Sequence, residues 1–573
     1  MTDTVASVLI KILKKHGIRH VFGLPAAQMA LLMDGFARDP FFTYATVRHE
    51  EAAGHMAHAI GKLTDSMAVC FGTVGPGATN LVPGVAAAWA DNIPMFVITP
   101  TNQSRVVHPA HDLLQNADQI ALYKGITKWS ATINFPERAP ELVERAIHIA
   151  RSGRPGPVHL EIPCDVHSAP CVHDLDSIPG IAKPRPAPST RDLAAVADAL
   201  ARARRPLLYA GGGVVRSGAV EEFRALVAAT GFAASSTAHS RGTVPPDYEN
   251  YVGSGGVLGG SAVRKATAEA DVILAIGCKF ASMTPIHKPP LAPPVPGQTI
   301  IQVDIDPHAL GRNVPLTLGI AADAREFLEL LLAALHGQRL ALDAAWLERL
   351  REERRAFLKT INQIADQLTD GRGPALNEAA LNRELARLLP ENAIVLTDGG
   401  QVMEWAHSFI EPQQPRDLLF NPGMGHLGFG LPMANAAKLL HPGRPVVCIT
   451  GDGAMGLTGQ EIETAVRYQL PVIVIVANDS AWGMYSPLEH AVFANPKLGT
   501  TLTRVDFAKV AEGYGARGER VTTLPQLAAA FRRAIEADQP TVIDVECSFT
   551  PHPIDDFWFA VIMKDMVWPV PAR

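Results

Sequence analysis

Along most of the chain, short runs of apolar and β-branched residues alternate with longer stretches whose apolar positions recur at helical spacing. The runs AVCFG (68–72), MFVITP (95–100), PVHLEIP (157–163), RPLLYAG (205–211), DVILAIG (271–277), TIIQVDI (299–305), AIVLTD (393–398), PVVCITGD (445–452), LPVIVIVAN (470–478) and TVIDVEC (541–547) each read as a strand buried on both faces. Strands of that kind belong to parallel sheets covered by helices, so the pattern predicts an α/β fold. Two segments interrupt it. One is the proline-rich IPGIAKPRPAPST (178–190), and the other is the charged helical AWLERLREERRAFLKTINQIADQL (345–368), which leads to Gly-Arg-Gly-Pro at 371–374. They predict three domains, each a mostly parallel sheet covered by helices, over 1–178, 190–338 and 374–548, with a C-terminal tail or lid over 549–573.

Composition narrows the partners. With 47% hydrophobic and 19% charged residues the chain is far from disordered composition, and a net charge of −6 offers no basic footprint for nucleic acid. Small-molecule partners are expected. The six cysteines (Cys70, Cys164, Cys171, Cys278, Cys448 and Cys547) are scattered without a CxxC spacing and read as reduced core residues. The opening MTDTVASVLIKILKKHGIRHVFG breaks its apolar positions with lysines, and no apolar run reaches ~18 residues. No signal peptide and no membrane span is expected, and a cytoplasmic location is the default.

The chemistry concentrates in GDGAMGLTGQEIETAVRYQLPVIVIVANDSAWG (451–483). Asp452 follows one buried strand and Asp479 the next, so a parallel βαβ unit brings both to the carboxyl edge of a sheet, where open α/β sheets bind ligands. Two carboxylates placed there suit Mg²⁺, which takes one or two carboxylates together with the phosphates of a bound cofactor. Gly451 and Gly453 let backbone approach a bulky anion, and a helix expected to begin near Gly456 would point its N-terminus at it. Turn or capping aspartates are the alternative reading. There is no Walker sequence. GGGVVRSG (211–218) lacks the GxGxxG spacing and reads as a tight turn in the middle domain rather than as a dinucleotide site. Glu51, His55 and His58 share a helical face and could ligate a metal, although a hydrogen bond or solvated face is the commoner meaning of that spacing. Trp405, Met484 and Tyr485 could line a pocket or pack a core.

The GDG sequence followed by Asn478-Asp479 resembles the diphosphate and magnesium motif of thiamine-diphosphate-dependent enzymes, in particular the acetohydroxyacid (acetolactate) synthase and 2-oxo acid decarboxylase superfamily. VFGLPAAQ (21–28), VRHEEAAGHMA (47–57), GTVGPGATN (72–80), GPVHLEIPCDV (156–166) and GMGHLGFGLPMA (423–434) occur in the family's order. The resemblance implies an aminopyrimidine-binding first domain, a middle domain and a diphosphate-binding last domain, with active sites between two subunits of a homodimer or homotetramer. It implies thiamine diphosphate and Mg²⁺ as cofactors, and allows FAD or ADP in the middle domain. Asp452, Asp479 and the carbonyl of Ala481 take the metal positions, with Asn478 a lesser candidate. Glu50 matches the glutamate that hydrogen-bonds the aminopyrimidine ring and promotes loss of the C2 proton, a role that needs a carboxyl group buried enough to share a proton with a ring nitrogen. Leu427 matches the bulky residue under the bent cofactor. Pro25, Gly399, Gly400, Gly425, Gly451, Gly453, Ala454, Gly483 and Met484 complete the implied cofactor contacts.

The implied activity is that of a carboligase or decarboxylase acting on a 2-oxo acid, and a second carbonyl acceptor, through a carbanion-enamine intermediate. Departures from the family steer it. The synthases carry two glycines where this chain has Ala26-Ala27, and some aromatic 2-oxo acid decarboxylases carry a serine at the Ala27 position and a histidine near Gly72. Gln115 resembles the glutamine of the synthases' FQE segment and favours a carboligase, with His108 and His111 further proton-transfer candidates. The tail PHPIDDFWFAVIMKDMVWPVPAR (551–573) does not match the synthase ending. Similarity to oxalyl-CoA decarboxylases and 2-hydroxyacyl-CoA lyases makes an acyl-CoA substrate the second reading. A non-catalytic cofactor-binding regulator is the third, against which stands the retention of Glu50 beside both aspartates.

Overall fold

The computed structural model describes residues 3–107, 112–172, 182–281, 283–284, 297–338, 340–367, 376–486, 489 and 498–554. Among the described residues, eighteen strands form three six-stranded sheets in which every strand pairing is parallel. The first sheet comprises β1 (His20–Gly23), β2 (Thr43–Thr46), β3 (Val69–Phe71), β4 (Met95–Thr101), β5 (Trp129–Thr132) and β6 (Pro157–Pro163), in the order β2-β1-β3-β4-β6-β5. The second comprises β7 (Pro206–Ala210), β8 (Ala233–Ser236), β9 (Tyr251–Ser254), β10 (Val272–Ile276), β11 (Thr299–Asp304) and β12 (Leu318–Ala321), in the order β12-β11-β10-β7-β8-β9. The third comprises β13 (Ile394–Asp398), β14 (Leu418–Leu419), β15 (Val446–Gly451), β16 (Val472–Asn478), β17 (Arg517–Val521) and β18 (Thr541–Glu546), in the order β14-β13-β15-β16-β18-β17. The α/β expectation is met in all three. The ten apolar runs are all strands and lie toward the middle of their sheets, while the eight strands the pattern missed flank them. The flanking β2, β5, β12 and β17 are less buried, and β8 (AASS) and β14 (two residues) are buried but short and weakly apolar, so each carries a weaker apolar signal.

Three helices matter most for the site. Helix α1 (Glu50–Leu63) starts where the His49 side chain accepts from the Glu51 amide, with Glu50 and Glu51 in the first turn, where negative charge suits the helix N-terminus. Its alanines and glycines let neighbours approach closely, and it is buried along almost its whole length. Helix α2 (Gly430–Leu440) is similarly small-residue-rich and packs along α1. Met56 and Ile60 of α1 thereby share a core with Met433 and Ala436 of α2, so the first and third sheets are joined by continuous apolar packing. Helix α3 (Asp452–Thr458) follows β15 directly.

Polar ties reinforce the junction. Asp91 is fully buried; it accepts from Lys62 Nζ at 2.7 Å and from the Gly423 amide at 2.9 Å, while Lys62 also donates to the Phe420 carbonyl. His58 Nε2 lies 3.2 Å and His239 Nε2 3.4 Å from the same carboxylate. One carboxylate therefore touches all three domains. Of the cysteines, Cys70, Cys171, Cys278, Cys448 and Cys547 are buried, Cys164 is partly so, and all six are free thiols. Among the described residues no helix is long and apolar enough to cross a membrane.

Candidate active site

Register places the acidic pair. Gly451 of β15 lies opposite Ala477 of β16, so Asp452 and Asp479, each just beyond its strand, emerge side by side at the carboxyl edge of the third sheet. The helix after β15 begins at Asp452 itself, and not near Gly456 as expected; Gly456 lies inside it. Strand passes into helix at Gly451 with no connecting turn, and burial of Ala454 and Met455 outweighs the helix cost of the glycines. Asp452 Oδ1 accepts from the Gly453 amide at 2.8 Å, and Asp479 Oδ1 from the Ala481 amide at 3.1 Å. Asp479 Oδ2 is buried and has no hydrogen-bond partner.

Burial pushes the Asp452 carboxyl up to about 6; burial and then the neighbouring Asp452 charge push Asp479 up to about 7. Two buried carboxylates that repel each other, one with an oxygen left unpaired, form a donor set that fits a hard divalent cation. The local backbone is shaped around them. Ser480 adopts a positive φ of 61°, Trp482 donates its amide to the Thr500 carbonyl, and the indole of Trp482 lies over Gly453. A Cβ at position 453 would stand 2.7 Å from that ring, so only glycine fits.

Gly399, Gly400, Gly425, Leu427, Gly451, Asp452, Gly453, Ala454, Asp479, Ala481, Gly483 and Met484 all line one cleft of about 190 Å³ at this edge. Tyr485 lines it as well, but Trp405 does not: it is fully buried and donates Nε1 to the Thr550 carbonyl. Asn478 turns away, donating to Asp544 and to the Val505 carbonyl. Pro25, Glu50 and Gln115 lie elsewhere. They follow β1, β2 and β4 at the carboxyl edge of the first sheet, where Glu50 accepts from Asn80 Nδ2 at 3.1 Å and the Gln115 backbone crowds Gly75. Among the described residues, none of the first domain lines the cleft of the third. His108 and His111 lie outside the described residues, as do the tail aromatics Phe557, Trp558, Phe559 and Trp568. The tail's first residues dock on the third domain, with His552 beside Ser408 and Ile554 buried.

Sequence reasoning missed three groups here. Asp398, at the end of β13, accepts from the amides of Gly428 and Gly430 and so holds the GMGHLGFG loop against the sheet; burial pushes its carboxyl up to about 7. The signal was present, since Asp398-Gly399-Gly400 repeats the grammar of Gly451-Asp452-Gly453. Glu461 is fully buried, accepts from the amides of Arg48 and His49, and thereby positions the backbone entering Glu50. His426 lines the cleft and meets Glu51 and His55 rather than joining them to His58, which goes to Asp91.

A second cavity, of about 220 Å³, opens at the carboxyl ends of β7 and β10. Read from β9 to β12 the second sheet has the order 3-2-1-4-5-6, and β7 and β10 are the strands at which that order reverses, a ligand-binding position in open sheets. Residues 212–216 of GGGVVRSG form a short helix at its wall, not the plain turn expected. Arg154, Arg216, His239 and Lys279 also line it.

Comparison with known proteins bears on both cavities. Family models match over most of the chain: thiamine pyrophosphate enzyme, N-terminal TPP binding domain, over residues 3–122; the central domain over 193–331; and the C-terminal TPP binding domain over 398–545. The chain is 32% identical over 554 residues to a probable acetolactate synthase large subunit of Methanocaldococcus jannaschii, covering 94% of this chain and 91% of the relative. It is 33% identical over 548 residues to a probable 2-ketoarginine decarboxylase of Pseudomonas aeruginosa, covering 95% and 94%. An acetolactate synthase large subunit of Cyanidium caldarium is 30% identical over 559 residues, 95% of this chain and 93% of the relative.

Proposed function

The chain belongs to the thiamine pyrophosphate enzyme family, and we propose that it is an acetolactate synthase-like carboligase that decarboxylates a short 2-oxo acid and joins the remainder to a second carbonyl compound. The observation that carries this reading is the pair Asp452 and Asp479, side by side at the carboxyl edge of the third sheet in a cleft shared with Leu427 and Met484. Thiamine diphosphate, when bound, supplies the carbanion chemistry. Asp452, Asp479 and the Ala481 carbonyl would hold Mg²⁺ for it, with the glycines at 399, 400, 451 and 453 giving room for the diphosphate. Leu427 and Met484 would support its rings.

Glu50 would exchange a proton with the aminopyrimidine nitrogen of a cofactor held by the partner subunit. The support is positional: Pro25, Glu50 and Gln115 share the edge of the first sheet, and the cleft of the third domain has no first-domain residue among its described walls. A homodimer would then be the smallest active species. The middle-domain cavity, with its strand order and basic walls, suits the diphosphate of FAD or ADP.

Ligation is favoured over simple protonation because Ala26, Ala27 and Gly72 offer no proton donor. At 72 no side chain fits at all, since a Cβ there would lie 2.7 Å from the backbone of Gly77. Similarity to a 2-ketoarginine decarboxylase supports a second reading, a dedicated decarboxylase. The test is incubation with Mg²⁺, thiamine diphosphate and pyruvate, alone and with a second 2-oxo acid or an aldehyde, measuring carbon dioxide and ligation product together. A 2-hydroxy-2-oxo-acid adduct or 2-hydroxy ketone as a major product is expected. Free aldehyde as the sole product replaces the proposal with the second reading, and turnover of acyl-CoA thioesters alone rejects both.

A further inference from the structure

Helix α1 carries a second constellation that the thiamine chemistry does not use. Glu51 and His55 stand one helical turn apart on α1, and His426 comes to them from the loop that bears Leu427. Glu51 Oε1 lies 3.5 Å from His55 Nε2 and 3.4 Å from His426 Nε2, and one ligand atom from each of the three residues falls within 4.8 Å of the others. The two imidazole rings are 5.2 Å apart, centroid to centroid.

Those separations are long for N–H···O hydrogen bonds, which fall at about 2.7–3.2 Å. They match the spacing of ligand atoms around one ion: bonds of roughly 2.0–2.1 Å in a tetrahedral site put the donors roughly 3.3–3.4 Å apart. A second observation points the same way. His55 is 0% exposed, and beyond the long contact between its Nε2 and Glu51 Oε1 neither of its ring nitrogens has a hydrogen-bond partner; Glu51 Oε1 is likewise buried with only long imidazole contacts. Buried polar atoms are ordinarily satisfied, so a wholly buried imidazole facing a carboxylate and a second imidazole calls for a missing partner.

We propose that Glu51, His55 and His426 bind a divalent transition-metal ion of the zinc class, separate from the cation held by Asp452 and Asp479. Two imidazoles and one carboxylate select zinc-like ions over magnesium, which prefers all-oxygen ligands. The ion ties α1 of the first domain to the loop 423–429 of the third, fixes Leu427 in the cleft, and keeps the His426 ring engaged so that it does not donate protons to the reaction. His58 is not a fourth ligand, because its ring is turned to Asp91. The inference stands on these residues alone and does not depend on which carbonyl compounds the enzyme joins.

The test uses the full-length, tag-free protein, loaded with zinc and then dialysed in the presence of excess magnesium and thiamine diphosphate. Mass spectrometry of the metal content is expected to find one zinc per chain, and cobalt substitution to give visible d–d absorption. Glu51→Gln and His55→Ala should each weaken zinc binding at least tenfold, while Asp452→Asn should leave it unchanged. Wild-type protein that binds thiamine diphosphate but retains no zinc overturns the proposal, as does undiminished zinc in Glu51→Gln, which preserves side-chain shape should His55→Ala fail to fold. Zinc lost in Asp452→Asn overturns it too, since the ion would then sit with the other carboxylates.

Discussion

Replacing Asp479 by asparagine should make the cofactor-free protein more stable while abolishing its ability to hold the cofactor. The Asp479 carboxyl titrates at about 7 in the fold against 3.8 in its ordinary state, because it is buried and because Asp452 repels its charge. A carboxyl whose folded-state value is raised binds its proton more tightly in the folded chain, so stability is lost as pH rises from about 4 through about 7. At ~1.4 kcal/mol for each tenfold, the loss by pH 8 is ~4 kcal/mol if the whole shift belongs to Asp479 and ~2 kcal/mol if Asp452 shares it equally. Asparagine keeps the shape and cannot ionise. Urea denaturation at pH 8 without cofactor should therefore show Asp479→Asn more stable than wild type by ~2–4 kcal/mol, and the difference should shrink as pH falls and vanish below about pH 4. Adding Mg²⁺ and thiamine diphosphate at a hundred times their dissociation constant should stabilise the wild type by ~2.7 kcal/mol and the variant not at all. Equal stabilities at pH 8, or a variant stabilised by the cofactor, would refute the reasoning that the pair is a preformed, self-repelling cation site.

Three further outcomes are expected. Glu50→Gln should leave cofactor binding largely intact and slow C2 proton exchange by orders of magnitude, read by NMR in heavy water; exchange at the wild-type rate would remove Glu50 from the proton path. Lys62→Met leaves the Asp91 carboxylate, 0% exposed, without its ammonium partner, and should cost about 3–5 kcal/mol in chemical denaturation; a loss below about 1 kcal/mol would show that the remaining amide and histidine contacts suffice. Gly453→Ala forces a Cβ against the Trp482 ring, and should weaken thiamine diphosphate binding at least tenfold by calorimetry, with unchanged affinity meaning that the indole moves freely.

What the sequence made legible and what it hid have a common physical cause. Strands such as LPVIVIVAN are buried on both faces, and that burial is written in consecutive residues, so β16 and its Asp479 could be read directly. Gly451-Asp452-Gly453 was equally local. Glu461 could not be read in that way, because its partners are amides 412 and 413 positions away in the chain, and nothing near it in sequence marks them. The grouping of Glu51, His55 and His58 failed for a different reason. Helical spacing assigns residues to a face, but α1 is surrounded, and its one face meets two neighbours: the loop bearing His426 near its start and Asp91 further along. Asp398 was a matter of reading one motif where the same strand-end pattern occurs twice.

The first and third sheets have the same strand sequence across the sheet, 2-1-3-4-6-5 when each is numbered from its own first strand. Packed through α1 and α2, they give a single chain two domains of like topology, a likeness that its amino-acid sequence does not advertise. Two such chains, brought together so that each first-sheet edge faces the other's third-sheet cleft, would form a pair of pairs. In that arrangement covalent connectivity becomes incidental to the chemistry, because each half finds its working complement on another polypeptide.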